Sequence, residues 1–288
     1  MSALELLFLG TGTSAGVPMI GCRCAVCTSS DPRDSRTRSS VVIRYNGGAV
    51  LIDSTPEVRI QCVANSVVSI DAVVYTHAHA DHIMGMDDLR RFNAVTGLPL
   101  EIYADQRTMS ALQRTFAYAF QPPDPSLKVS RPHFLSRTID GPFKILGETW
   151  NPIPLVHGDE PVLGFRVGGL AYCTDVSHVP ESSYALLEGL EVLVLDALQH
   201  RKHPTHLTVS EALGVAERVG AKRTYFTHIA HGLAHGKTCE DLPEGVELAY
   251  DGLRVVVPAR GVHRSSSLDC PAGTLDTLPT GSNNSSRL

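Results

Sequence analysis

Seven residues constrain this chain more than any other feature. Thr76-His77-Ala78-His79-Ala80-Asp81-His82 packs three histidines and a carboxylate into one short segment. Immediately upstream, Asp71-Ala72-Val73-Val74-Tyr75 is an apolar, β-branched run with the length of a buried strand. Downstream, His82 to Arg91 has the apolar spacing of a short helix, with Asp81 placed to cap it. His77 and His79, two apart, point the same way while the chain is extended. Asp81 and His82 sit on the turn and aim at a second point nearby. Without a cation these groups would crowd, poorly solvated, at the mouth of an apolar strand. The segment predicts metal binding, with two ions rather than one, and zinc, manganese or iron suits such a donor set.

Further candidate ligands stand at the ends of other apolar runs. Asp53 closes Ala49-Val50-Leu51-Ile52, the second strand of a hairpin signalled by Asn46-Gly47-Gly48, and could orient a ligand from behind. His157 ends Ile153 to Val156, Asp175 ends Leu170 to Thr174, and His228 follows Arg223 to Thr227. His200, His203 and His206 precede a helix expected over 208–219. Seven cysteines is an odd number, and Cys22, Cys24 and Cys27 lie too close together for a disulfide framework. Three thiolates would need a fourth ligand to make a tetrahedral zinc site, and none is adjacent. The loop Gly10 to Pro18 holds three glycines but matches neither the dinucleotide nor the Walker spacing, so it reads as a tight turn.

The strand and helix signals alternate in both halves, which predicts one α/β domain over 1–260 with helices covering packed sheets. After Arg260 the residues turn to serine, asparagine and glycine with little to bury, so 261–288 reads as a disordered tail. No stretch has the apolar length of a membrane span. The start, Met1 to Leu9, reads as a first strand rather than a secretory signal, so a cytoplasmic location is expected. A formal charge of −5 without a basic run argues against a nucleic-acid-coating protein. The expected partner is a small phosphodiester, with no membrane and no nucleic acid; a homodimer stays open.

The set His77-x-His79-x-Asp81-His82, then His157, Asp175 and His228, each after a strand, resembles the metallo-β-lactamase superfamily. That resemblance implies an αββα sandwich with two divalent ions, zinc or manganese, at one edge. It implies His77, His79 and His157 on one ion, Asp81, His82 and His228 on the other, and Asp175 between them. Gly10-Thr11-Gly12, Gly16-Val17-Pro18 and Gly21-Cys22-x-Cys24-x-x-Cys27 look most like the cyclic-phosphate phosphodiesterases of phosphonate degradation. Similarity to that family implies a structural zinc on Cys22, Cys24, Cys27 and His231, and His206 as general acid with His203 as its competitor. Ser54-Thr55-Pro56 departs from the Thr-Gly that many superfamily members carry after the Asp53 position.

The activity expected on these grounds is hydrolysis of a cyclic phosphodiester, such as phosphoribosyl 1,2-cyclic phosphate or a nucleoside 2′,3′-cyclic phosphate. A hydroxide shared by the two ions would attack phosphorus, with Asp81 and His206 as the catalytic side chains. Ribonuclease Z-like tRNA 3′ processing is a rival, against which the chain shows no basic insertion or Gly/Pro-rich arm. Thioester or lactone hydrolysis fits the same metal ligands. A non-enzymatic metal-stabilised scaffold is disfavoured by the full ligand set.

Overall fold

A computed structural model describes residues 3–121 and 131–259; the tail expected over 261–288 lies outside the described residues. Apolar runs become strands wherever they are long enough to be covered on both faces. The first half supplies β1 (Leu4–Gly10), β2 (Ser40–Tyr45), β3 (Gly48–Ile52), β4 (Ala72–Val74), β5 (Leu100–Ala104) and β6 (Phe134–Thr138). The second supplies β7 (Phe143–Ile145), β8 (Glu148–His157), β9 (Glu160–Val167), β10 (Leu170–Cys173), β11 (Val192–Asp196), β12 (Arg223–Thr227) and β13 (Val246–Leu248). The last strand, β14 (Arg254–Val257), returns to the first half and pairs antiparallel with β1. The result is two seven-stranded sheets, ordered β14-β1-β2-β3-β4-β5-β6 and β13-β12-β11-β10-β9-β8-β7.

Each sheet runs antiparallel along one part and parallel along the other: β3 to β6 in the first and β10 to β13 in the second are parallel. Helices therefore cross the outer faces, as parallel connections require. On the first sheet these are α1 (Val58–Ala64), α2 (Ala80–Ile83), α3 (Arg90–Thr96) and α4 (Gln106–Thr115); on the second, α5 (Val209–Val219) and α6 (His235–Asp241). Three apolar layers result, one between the sheets and one under each set of helices. Trp150 of β8, fully buried between the sheets, donates to the Tyr45 hydroxyl of β2 at 2.8 Å. The αββα sandwich that the resemblance implies is the architecture observed.

Local chemistry explains where elements start and stop. The β2–β3 hairpin turns on Asn46 and Gly47, both with positive φ (49° and 81°), the pairing favoured by two-residue hairpins. Thr208 caps α5 in a reciprocal capping box with Glu211. Asp81, expected to cap a helix, does not: His79 occupies the cap position and makes no side-chain cap bond, leaving Asp81 in the first turn. The helix expected from His82 to Arg91 is also broken, into α2, a 3-10 turn over Met86–Leu89, and α3. Gly85 lies in the break, its N–H bonded to the Ser54 carbonyl, where an added Cβ would stand 1.9 Å from the Thr55 carbonyl oxygen.

Candidate metal centre

The candidate ligands meet at one edge of the sandwich, beyond the carboxyl ends of β3, β4, β8, β10, β11 and β12. Parallel strands end here together, and their loops carry the polar groups that the strands cannot. Asp53, Asp175 and His228 each adopt left-handed backbone, with φ of 62°, 56° and 57°. Non-glycine residues hold that conformation at a cost, and such strain clusters at functional sites.

Two donor groups form. His77, His79 and His157 bring ligand atoms within 4.8 Å of one another, and so do Asp81, His82, Asp175 and His228. Asp175 faces both groups. Its Oδ2 lies 4.0 Å from His77 Nε2, 3.9 Å from His157 Nε2 and 3.4 Å from His228 Nε2, while its Oδ1 lies 3.2 Å from His82 Nε2. Asp81 Oδ2 stands 3.4 Å from His82 Nε2 and 3.8 Å from His228 Nε2. The two aims read from the heptapeptide are two groups in space.

The opposite edge of each ring shows why the Nε2 atoms point inward. His82 Nδ1 donates to Asp53 Oδ2 at 2.7 Å, and His157 Nδ1 donates to the Thr205 carbonyl at 2.7 Å. Thr76 gives its hydroxyl proton to Asp53 Oδ2 at 2.8 Å, so its oxygen is left to accept from His77 Nδ1 at 2.9 Å. With Nδ1 held as a donor, Nε2 is the atom left to bind a cation. The buried Nε2 atoms of His77, His82 and His228 have no hydrogen-bond partner among the described residues. Lone pairs converging beside two carboxylates fit a pair of divalent cations.

Electrostatics agree with that fit. Burial pushes His77 and His157 down, toward the neutral form that offers a lone pair. Burial also opposes a charge on His228, but the Asp175 carboxylate outweighs it and raises the group to about 9. His82 is raised in the same way, by Asp175 and Asp53 acting against burial. The carboxylates recruit positive charge to the second group, the charge that bound cations would supply.

His206 joins this edge from the loop before α5. Its ring stacks on His228, centroids 4.5 Å apart, and lies 4.6 Å from His157. Its Nδ1 is 2.7 Å from Asp196 Oδ2, which also accepts the Val176 N–H. His203 lies behind it, 5.2 Å ring to ring, with its Nδ1 turned to the Thr205 hydroxyl. Sequence reading passed over Asp196, although it ends a buried parallel strand just as Asp175 follows one.

A second cluster lies outside this edge. Cys22, Cys24 and Cys27 place their sulfurs 3.3, 3.3 and 3.6 Å from His231 Nδ1. The Cys27 N–H bond to Cys24 Sγ, helped by His231, lowers that thiol to about 6 against desolvation. Three thiolates and an imidazole are a tetrahedral zinc set. The loop from His228 to His235 is held twice more. Ile229 N–H donates to the Thr11 carbonyl, and fully buried Arg36 donates to the Ala230 and Leu233 carbonyls and to Asp34. Arg36 is only 1% exposed.

Residues 49–229 match the model of a "Beta-lactamase superfamily domain". A crystal structure described as a new diphosphatase from the PhnP family is 43% identical, with a TM-score of 0.81 over 88% of this chain and 97% of that one. An octanoyltransferase from Porphyromonas gingivalis is 33% identical over 268 residues, 90% of this chain and 53% of the relative. The chain thus spans about half the length of that curated relative. The short form of human tRNase Z, 21% identical with a TM-score of 0.65 over 88% of this chain and 99% of that one, shares the fold. Among the described residues, no helix is long and apolar enough to cross a membrane.

Proposed function

The chain belongs to the beta-lactamase superfamily, and from that premise we propose that it is a metal-dependent phosphodiesterase acting on a strained cyclic phosphodiester. Ribose 1,2-cyclic phosphates and nucleoside 2′,3′-cyclic phosphates are the substrate class. The observation that carries this reading is the Asp196–His206 pair beside both donor groups. An alkoxide is a poor leaving group and departs faster when protonated, whereas a thiolate needs little help. Asp196 fixes the orientation of the His206 ring. His206 then gives the Nε2 proton to the departing ribose oxygen. His77, His79 and His157 would hold one ion, Asp81, His82 and His228 the other, with Asp175 facing both. Two such ions, when bound, supply Lewis acidity to the phosphoryl oxygens and lower the pKa of water. Asp81 serves as a ligand in this reading. Zinc or manganese would fill the two positions, and zinc the cysteine cluster.

A second reading is hydrolysis of a diphosphate bond, supported by the 43% identity to a protein described as a diphosphatase. The leaving group there is a phosphate oxygen, a weaker base, so His206 would matter less. A panel of a ribose 1,2-cyclic phosphate, a 2′,3′-cyclic mononucleotide, a nucleoside diphosphate ester, bis-p-nitrophenyl phosphate and a thioester separates these readings, with zinc and manganese compared. The expected result is turnover of the cyclic diesters. His206→Ala should lower that rate about 10²- to 10³-fold while sparing the p-nitrophenyl ester. Thioester turnover without diester turnover would overturn the proposal, and preference for the diphosphate with little loss in His206→Ala would favour the second reading.

A further inference from the structure

The loop between β11 and α5 carries an imidazole that the proposed reaction leaves unused. Leu198 N–H donates to the Leu207 carbonyl and Val209 N–H to the Gln199 carbonyl, both at 3.0 Å, which closes the loop at its base. Within it, Thr205 is fixed against the β8–β9 hairpin that carries His157. Its carbonyl accepts from His157 Nδ1 at 2.7 Å. Its methyl group packs so closely on Gly158 that a Cβ added there would stand 2.8 Å away. Thr205 also meets His203, whose Nδ1 lies 3.4 Å from the Thr205 N–H nitrogen and 3.2 Å from its hydroxyl. One residue therefore orients a candidate metal ligand and a second ring beside it.

A backbone N–H can only donate, so His203 Nδ1 accepts and the ring proton sits on Nε2. Burial pushes the pKa of this half-buried ring down, which keeps it neutral. Its Nε2 has no hydrogen-bond partner among the described residues. His206 is the opposite case, with Nδ1 committed to the Asp196 carboxylate. The rings step outward from the donor groups: His206 lies 4.5 Å from His228 and 4.6 Å from His157, and His203 lies 5.2 Å from His206. We infer that His203 is a substrate-binding residue whose Nε2–H donates to an oxygen of the sugar, while His206 serves the departing oxygen. This rests on the reading of His206 given above. With phosphorus at the donor groups and the departing oxygen at His206, the sugar continues toward His203. A neutral imidazole N–H is a poor acid but a competent donor to a hydroxyl or ring oxygen. Sugar recognition and proton transfer are thereby divided between two histidines three residues apart.

Steady-state kinetics of the metal-loaded protein test this, comparing a 2′,3′-cyclic mononucleotide with bis-p-nitrophenyl phosphate, which has no sugar. His203→Phe should raise KM for the cyclic nucleotide about 5- to 10-fold and leave kcat within about twofold. KM for bis-p-nitrophenyl phosphate should stay within about twofold of wild type. His203→Gln, whose amide N–H can reach the same position, should recover most of the lost KM. Metal content and unfolding midpoint check that the variants fold, and His203→Ala carries the same comparison if His203→Phe does not. Equal losses on both substrates, a glutamine variant no better than phenylalanine, or a fall in kcat as deep as that of His206→Ala would each overturn the proposal. The reading of His206 is decided separately, by the wild-type substrate panel. Preference for the nucleoside diphosphate ester would overturn that reading, and the His203 comparison then runs on that ester, which also carries a ribose. A wild type that turns over no sugar-bearing substrate overturns both.

Discussion

Asp53 shows how much one buried residue can decide. It contacts no candidate ion directly, yet both its oxygens are committed, one to the Thr76 N–H and the other to Thr76 Oγ1 and His82 Nδ1. Through those bonds it sets the tautomers of His82 and, by way of Thr76, of His77. Asp53→Ala should therefore weaken metal affinity about 10- to 100-fold, read by competition with a chromogenic chelator. Retained affinity would mean that the rings orient themselves. His228 supplies a pH test. In the metal-free protein it keeps its proton up to about 9, because Asp175 overcomes burial. A cation entering the second donor group must displace that proton. Apparent affinity should then fall as pH drops below about 9, by up to about tenfold per unit for one displaced proton. Calorimetry in buffers of different ionisation enthalpy would count the protons released, and a count of zero from pH 7 to 8 would contradict the assignment.

At the scale of elements, the loop from His228 to His235 is held from several sides. Its clamps are the cysteine cluster on one side and Arg36 on the other, with the backbone of Thr11 between. They carry different loads. On the ligand assignment proposed above, loss of Cys22 and Cys24 should remove one metal per chain and spare the metal proposed at the histidine groups, which elemental analysis can count. Arg36→Met instead strands Asp34 and two carbonyls in the interior, and should cost about 3–5 kcal/mol in denaturant unfolding. The helix broken at Gly85 shows the limit of periodicity. The spacing from His82 to Arg91 is helical, but close docking on Ser54-Thr55 interrupts it. Asp81 was readable as a cap for the same local reason. The contest between capping a helix and facing His82 and His228 is decided by groups distant in sequence.

Across the whole molecule, the two halves repeat one plan and meet where their parallel strands end. Strands β2, β5, β11 and β12 coincide with runs rich in apolar and β-branched residues. β13 and β14 flank Asp251-Gly252. They do not form a hairpin: β13 pairs with β12 in one sheet and β14 with β1 in the other. Asp251 explains the crossing, since its carboxylate accepts from Thr11 Oγ1, Thr37 N and Thr37 Oγ1, all in the other half.

The heptapeptide from Thr76 to His82 determined by itself that metal ions were expected and that its ligands had two aims, because residue type and extended geometry are local properties. The sheet class followed from runs of apolar residues, which need no knowledge of neighbours. Only the tertiary structure decided that His206 is paired with Asp196 and that Arg36 is a buried clamp. Each of those depends on groups brought together from distant segments. Hydrogen-bond geometry and burial exist only once the sheets have packed.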